Sequence, residues 1–239
     1  MPQYFIDDRI EPQCSFSIRG DDFFHIVKVR RARPGSFIDV RDSAGNLHSA
    51  EIIDIDNYKN EIKLCSRSCE QGNEELNLHV YISLVKSSVF DVCLQNAVEA
   101  GAVKIFPVKA SRSVADVDPK KDGKSIRWNR IAAEAAKQCY SVSVPLVEKI
   151  STFEEAAKNA EGLRLIAHPF SKNTLNGIRF DENNVISLFI GPEGGFSDDE
   201  IEYARAEKYF DFSSGTRVLR AETASAVISA LVLNKYFNR

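Results

Sequence analysis

Two short stretches near the carboxy terminus combine glycine, charge and position in a way that permits chemistry: GPEGGF at 191–196 and RVLRAETA at 217–224. The first follows a largely apolar and β-branched six-residue run, Val185–Ile190, of buried-strand length. Its glycines free the backbone. Ser197, with Glu200 three residues on, makes a capping box that starts a helix. A turn so poor in side chains offers N–H and C=O groups at close range, which suits a flat polar ligand held by main chain. Glycine-rich turns also occur where a strand and a helix merely pack closely, so this turn does not decide the matter alone. It lacks the G-x-G-x-x-G of dinucleotide sites and the G-K-[ST] of phosphate loops, so phosphate is not its main ligand. In the second stretch Arg220 and Glu222 flank a polar segment between strand-like residues 209–212 and a long apolar helix from 222 to 237. Two charges there exceed what packing requires.

The elements that must hold these loops are an α/β array. From residue 76 onward, apolar segments at 76–85, 103–108, 163–167 and 185–190 alternate with helical segments at 89–100, 125–139, 153–159 and 198–207. Strands alternating with helices of this length predict a parallel sheet with crossover helices. Ligands in such sheets lie beyond the carboxyl ends of the strands. Both loops are at such ends, as is His168-Pro169-Phe170 after 163–167. Residues 1–70 read differently, as a short helix at 21–29 and then strands at 36–41, 47–54 and 61–66 with Asp-, Asn- and Gly-rich turns between them. This predicts a small β-rich domain, with the polar stretch 69–75 as linker and a second domain at 76–239.

Composition bounds the function. The chain has 239 residues, 44% of them hydrophobic, enough to bury a core in one large or two modest domains. Its apolar runs are far shorter than the roughly 20 residues a membrane span needs. The amino terminus has early acids and no apolar signal region, so a cytoplasmic protein is expected. The five cysteines and four histidines are dispersed, without C-x-x-C or zinc-ligand spacing. Reduced, mostly buried thiols and no metal site are expected. A net charge of −3 excludes a surface that grips nucleic acid all over. Local basic clusters remain: Lys28, Arg30, Arg31 and Arg33, and a looser group of Lys109, Arg112, Lys120, Lys121, Lys124, Arg127 and Arg130. Each has a plain reading as solvated surface, but two clusters in different halves of the chain suit a two-domain clamp on RNA.

GPEGGFSDDEI and RVLRAETA together resemble the signature of the SPOUT methyltransferases, and in particular the ribosomal RNA small subunit methyltransferase E family. HIVKVRRARPG at 25–35, LVK at 84–86, QNAVEAG at 95–101 and EAAKQ at 134–138 with Pro145 are similar to further motifs of that family, so the resemblance spans nearly the whole chain. It implies a PUA-like RNA-binding barrel before a trefoil-knotted SPOUT domain. It also implies a homodimer and methylation of N3 of a uridine in small-subunit (16S) ribosomal RNA, with S-adenosylmethionine as donor. Three positions depart from the pattern: Asn96 where relatives usually carry Lys, Ala100 where Leu is common, and Cys139-Tyr140-Ser141 where Arg is frequent. None lies in the two carboxy-terminal loops.

Methyl transfer from a sulfonium is an in-line displacement that needs near-attack geometry and exclusion of water, and no metal. The resemblance makes His168, Pro169, Ile190, Gly191, Glu193, Gly194, Gly195, Leu219, Arg220, Thr223 and Ala224 the expected cradle for the cofactor. At Gly194 and Gly195 a Cβ would intrude on a ligand pressed against main chain. The start of the final helix favours negative charge there. Neutral uracil N3 carries a proton and is a poor nucleophile until it leaves. Arg220 is the candidate stabiliser of the anion, acting as an oxyanion donor does; the plain alternative is a salt bridge to Glu222 or Glu193. Either carboxylate is a candidate proton acceptor, although a carboxylate is a weak base unless burial raises its pKa. Lys28, Arg30, Arg31, Arg33 and Arg112 are the candidate RNA contacts. The rivals are a non-catalytic RNA-binding or ribosome-assembly protein, and the same chemistry on transfer RNA.

Overall fold

The computed structural model describes residues 2–72, 76–113, 124–180 and 184–238. Its contacts divide the chain into two units, the first formed by Met1–Glu74 with Ala136–Val144 and the second by Glu75–Ala135 with Pro145–Arg239. The first unit therefore includes a segment that a single boundary near residue 70 assigns to the second domain.

The first unit is built on β1 (Tyr4–Phe5), β2 (Ser15–Arg19), β3 (Phe37–Arg41), β4 (Leu47–Asp56) and β5 (Glu61–Glu70), in the order β1-β3-β4-β5-β2. The β1–β3 ladder is parallel and the rest are antiparallel. Alternation puts Ile38, Val40, Ala50, Ile52, Ile62 and Leu64 inside, where they meet Phe23 and Ile26. Those two come from α1 (Asp21–Phe24) and the π-helical turn that continues it, His25–Val29. Strand β5 runs on to Glu70, so Cys69 and Glu70 belong to the sheet and not to a linker, and 73–75 lie outside the described residues. Arg41 fastens the 136–144 segment. Its Nε donates to the carbonyl of Ser141 and to Oε1 of Gln3, both at 3.1 Å, and its Nη1 to the carbonyl of Gly45 at 2.8 Å. Tyr140 adds a bond from its hydroxyl to Asp39 at 3.0 Å.

The second unit carries a wholly parallel seven-stranded sheet. Its order is β12 (Phe210–Phe212), β10 (Leu163–Ala167), β11 (Val185–Ile190), β6 (Asn77–Ser83), β7 (Ala102–Lys109) and β8 (Leu146–Val147), with β9 (Ser151–Thr152) also on β7. Helices α2 (Ser87–Glu99), α3 (Ser125–Cys139), α4 (Phe153–Asn159), α5 (Asp198–Ala206) and α6 (Ala221–Phe237) complete it. The central strands are buried on both faces, which is why β6 and β11 carry apolar residues at consecutive positions, Val80–Ile82 and Leu188–Ile190, and not in strict alternation. On one face the rings of Phe106, Tyr81 and Phe189 stack in a row across three strands, with centroids 4.3 and 4.2 Å apart. On the other, α2 and α6 pack together. The capping box at Ser197 is present: its hydroxyl accepts from the Glu200 N–H while the Glu200 carboxylate accepts from the Ser197 N–H. Thr152 and Glu155 make a second at α4.

Among the described residues no helix is long and apolar enough to cross a membrane. Among the described residues the cysteines form no disulfide, and only Cys65 and Cys93 are buried; Cys14 and Cys69 are exposed and Cys139 is intermediate. The expectation of mostly buried thiols therefore does not hold, since two of the five are buried.

Candidate functional site

Strands β10, β11 and β12 end together, and their last residues, Ala167, Ile190 and Phe212, form the floor of a cleft that opens to solvent. Its walls are the three segments that leave those ends: His168 and Pro169, the glycine turn at 191–195, and the loop and helix start from 214 to 228. Each wall has a local cause. His168 is pinned by its N–H to the carbonyl of Phe212 at 2.9 Å, and Asn173 and Ser171 bond the carbonyl of Asp211, both at 3.1 Å.

The glycine turn is closed by the N–H of Gly195, which donates to the carbonyl of Pro192 at 2.8 Å. Gly195 has φ +69°, a left-handed conformation that glycine adopts without strain. At Gly191 the reason is space: a Cβ would meet the buried ring of Phe196 at 3.3 Å. The third wall ends at α6, whose N-cap residue, Arg220, makes no side-chain cap. The first-turn N–H groups are thus left to be satisfied by something other than a capping side chain. Ala221, Ala224 and Ile228, at helical spacing, turn an apolar stripe to the cleft.

Of the sequence-predicted cradle, His168, Pro169, Ile190, Gly191, Glu193, Gly195, Leu219 and Ala224 line this cleft. Gly194, Arg220 and Thr223 do not line it. Gly194 instead faces Arg112, whose Cβ and Cδ lie 3.5 Å from where its own Cβ would be. Arg220 is exposed, stands between the lining residues Leu219 and Ala221, and makes no ion pair with Glu222 or Glu193. Glu193 is an exposed member of the lining, whereas Glu222 is half-buried with its carbonyl accepting from Asn96. Residues that the sequence reading missed include Ser214, Arg217, Val218 and Ile228. The Ser213-Ser214-Gly215 turn signal and the 221, 224, 228 spacing are the marks that would have found them.

The basic clusters differ in how free their charges are. In the first unit, Lys28, Arg31 and Arg33 are exposed on the π-helical turn and the loop after it, while Arg30 is half-buried and reaches the hydroxyl of Tyr4 at 3.4 Å. In the second unit, Arg127 pairs with Asp91 and Arg112 bonds main chain of the glycine turn. Lys120 and Lys121 lie outside the described residues. Among the described residues no group of three His, Cys, Asp or Glu side chains is placed to share a metal ion.

Comparison with known proteins extends these observations. The chain matches the RNA methyltransferase domain family over residues 72–233 and the RNA methyltransferase PUA domain family over residues 18–64. It is 32% identical to ribosomal RNA small subunit methyltransferase E 2 of Borreliella burgdorferi, over 84% of this chain and 84% of that one. It is 29% identical to ribosomal RNA small subunit methyltransferase E of Bacillus subtilis, over 94% and 93%. Among solved structures it is similar to a ribosomal RNA small subunit methyltransferase E from Neisseria gonorrhoeae bound to S-adenosyl methionine. That match has a TM-score of 0.86 and 25% identity, covering 98% of this chain and 97% of the other.

Proposed function

The chain belongs to the RNA methyltransferase family and, within it, to the ribosomal RNA small subunit methyltransferase E family, and from that premise we propose that it methylates N3 of a uridine in small-subunit (16S) ribosomal RNA. S-adenosylmethionine is the donor, and the working form is a homodimer in the cytoplasm.

The observation that carries this reading is a cleft at the ends of three parallel strands, walled on one side by a glycine turn, the place where α/β sheets bind ligands. The residues present fit this cofactor. Ala221, Ala224 and Ile228 offer an apolar wall, the turn at 191–195 offers backbone at close range, and the uncapped start of α6 favours a carboxylate. When bound, the cofactor supplies an electrophilic methyl group on a sulfonium.

The chain's own residues have four tasks. The cleft walls fix the donor and exclude water, so that the nucleophile meets the methyl carbon in line. Arg220, exposed between two lining residues and with no ion pair among the described residues, stabilises negative charge developing on the uracil oxygens. Glu193, which lines the cleft, is better placed than Glu222 to accept the N3 proton. Lys28, Arg31 and Arg33 supply phosphate contacts from the PUA unit. The dimer draws support from α6, which leaves Val227 and Leu231 exposed one turn apart.

Mass mapping of modified nucleosides in small-subunit RNA from cells lacking the gene tests the reaction. Loss of one N3-methyluridine, restored by the gene, is expected. An unchanged modification map sinks the proposal.

A further inference from the structure

Arg112 stands three residues beyond the end of β7, yet its side chain is spent on the turn that follows β11. One nitrogen, Nη1, donates to two main-chain carbonyls, that of Gly194 at 3.0 Å and that of Phe196 at 3.2 Å. The same short loop is fastened a second time by its neighbour. The N–H of Ser111 donates to Oε1 of Glu200 at 2.8 Å, and its hydroxyl reaches Oε2 at 3.2 Å. Oε2 also accepts from the N–H of Ser197 at 2.8 Å, and Glu200 is buried. Residues 111 and 112 thereby hold both the glycine turn and the helix start that follows it.

The first contact has a geometric consequence. In a trans peptide the C=O and N–H point to opposite sides of a rigid plane. Turning the Gly194 carbonyl toward Arg112 aims the N–H of Gly195 the other way, where it meets the carbonyl of Pro192 at 2.8 Å. That plane sets the left-handed Gly195, and with it the path of Glu193 and Gly195 along the cleft. Without the guanidinium, the carbonyls of Gly194 and Phe196 lose their only described side-chain donor, and the Gly194–Gly195 peptide plane is held from one side alone, by the Gly195–Pro192 bond.

We propose that Arg112 is a positioning residue for the cofactor, holding the 191–196 turn in its binding shape, and that it does not act as an RNA contact despite standing in a basic cluster. This inference rests on the reading that the cleft takes S-adenosylmethionine.

The test compares Arg112→Ala, Arg112→Lys and the unsubstituted full chain by calorimetric titration with S-adenosylmethionine, by filter binding to a small-subunit ribosomal RNA transcript, and by amide exchange of residues 191–197. Arg112→Ala is expected to weaken cofactor affinity about tenfold, to speed exchange in the turn, and to leave RNA affinity within about twofold. Turnover at saturating cofactor falls less than cofactor affinity does, so the loss is chiefly one of KM. Arg112→Lys, which keeps one donor, recovers part of the affinity. The proposal is overturned if cofactor affinity and turn exchange are unchanged, whether or not RNA affinity falls. Should Arg112→Ala not fold, Arg112→Gln carries the same comparison. Failure of the unsubstituted chain to bind the cofactor would strike the functional reading itself, and this inference with it.

Discussion

The side-chain amide of Asn96, in α2, donates to the main-chain carbonyl of Glu222 at 2.8 Å, tying α2 to the first turn of the helix that closes the cleft. One turn further on, the buried hydroxyl of Ser225 donates to the carbonyl of Cys93 at 2.6 Å. Two polar bonds thus pin the start of α6 to a neighbour 126 and 132 residues away. Asn96→Ala is expected to cost about 1 kcal/mol, the net worth of a typical intramolecular hydrogen bond. Urea unfolding measures it, and an unchanged midpoint would show the bond to be energetically silent.

Arg220→Ala is expected to reduce kcat by about 100-fold or more, as removal of an oxyanion donor does. Cofactor affinity should stay within about twofold, because the side chain does not line the cleft. Methyl incorporation into ribosomal RNA at saturating cofactor reads the first quantity and calorimetry the second. Undiminished turnover would remove Arg220 from the mechanism.

Gly195→Ala separates conformation from crowding. Nothing lies within 4 Å of the added Cβ, so its cost comes from φ +69° alone, about 1–2 kcal/mol for a non-glycine residue in the left-handed region. Stability by denaturant titration should fall by that amount, and cofactor affinity should fall with it as the turn relaxes. If stability holds while affinity collapses, the glycine is there for the ligand and not for the backbone.

His79, buried on β6, gives the stability a pH dependence. Burial, aided by Lys104 and opposed by Glu161, holds its pKa below the usual imidazole value. The unfolded chain then takes up a proton below about pH 6.5 that the folded chain does not. The sign follows: stability is full above that pH, declines as pH falls through it, and levels only below the depressed folded value. His79→Gln should flatten the difference between unfolding midpoints taken at about pH 7.5 and about pH 5.5. An equal slope in both proteins would exclude His79 as its source.

What could be read in advance depended on how local its cause was. Val185–Ile190 announces a strand because both its faces are buried, and Ser197 with Glu200 announces a helix start because the capping box is three residues long. The cleft was largely legible for the same reason: His168, Gly191, Gly195 and Leu219 stand in short motifs directly after strands. Strand β2 escaped because Ser15–Arg19 buries only Ile18 and is held by its ladder to β5, and β8 and β9 are two residues each, too short to leave a period. Arg112 read as part of a charge cluster because its partners, Gly194 and Phe196, lie more than eighty residues on, and no spacing rule links them. Arg217 was overlooked inside a motif quoted for its neighbours, although it lines the cleft and Arg220 does not.

The dependence of the first unit on Ala136–Val144 reaches back to synthesis. Arg41 and Gln3 have their carbonyl partners at 136–141, so the amino-terminal sheet cannot complete its contacts while only its own strands have left the ribosome. Its folding waits until more than half of the polypeptide has emerged. A truncation at residue 74 would yield strands deprived of a brace, and a graft of this unit onto another protein would have to bring along nine residues from far downstream.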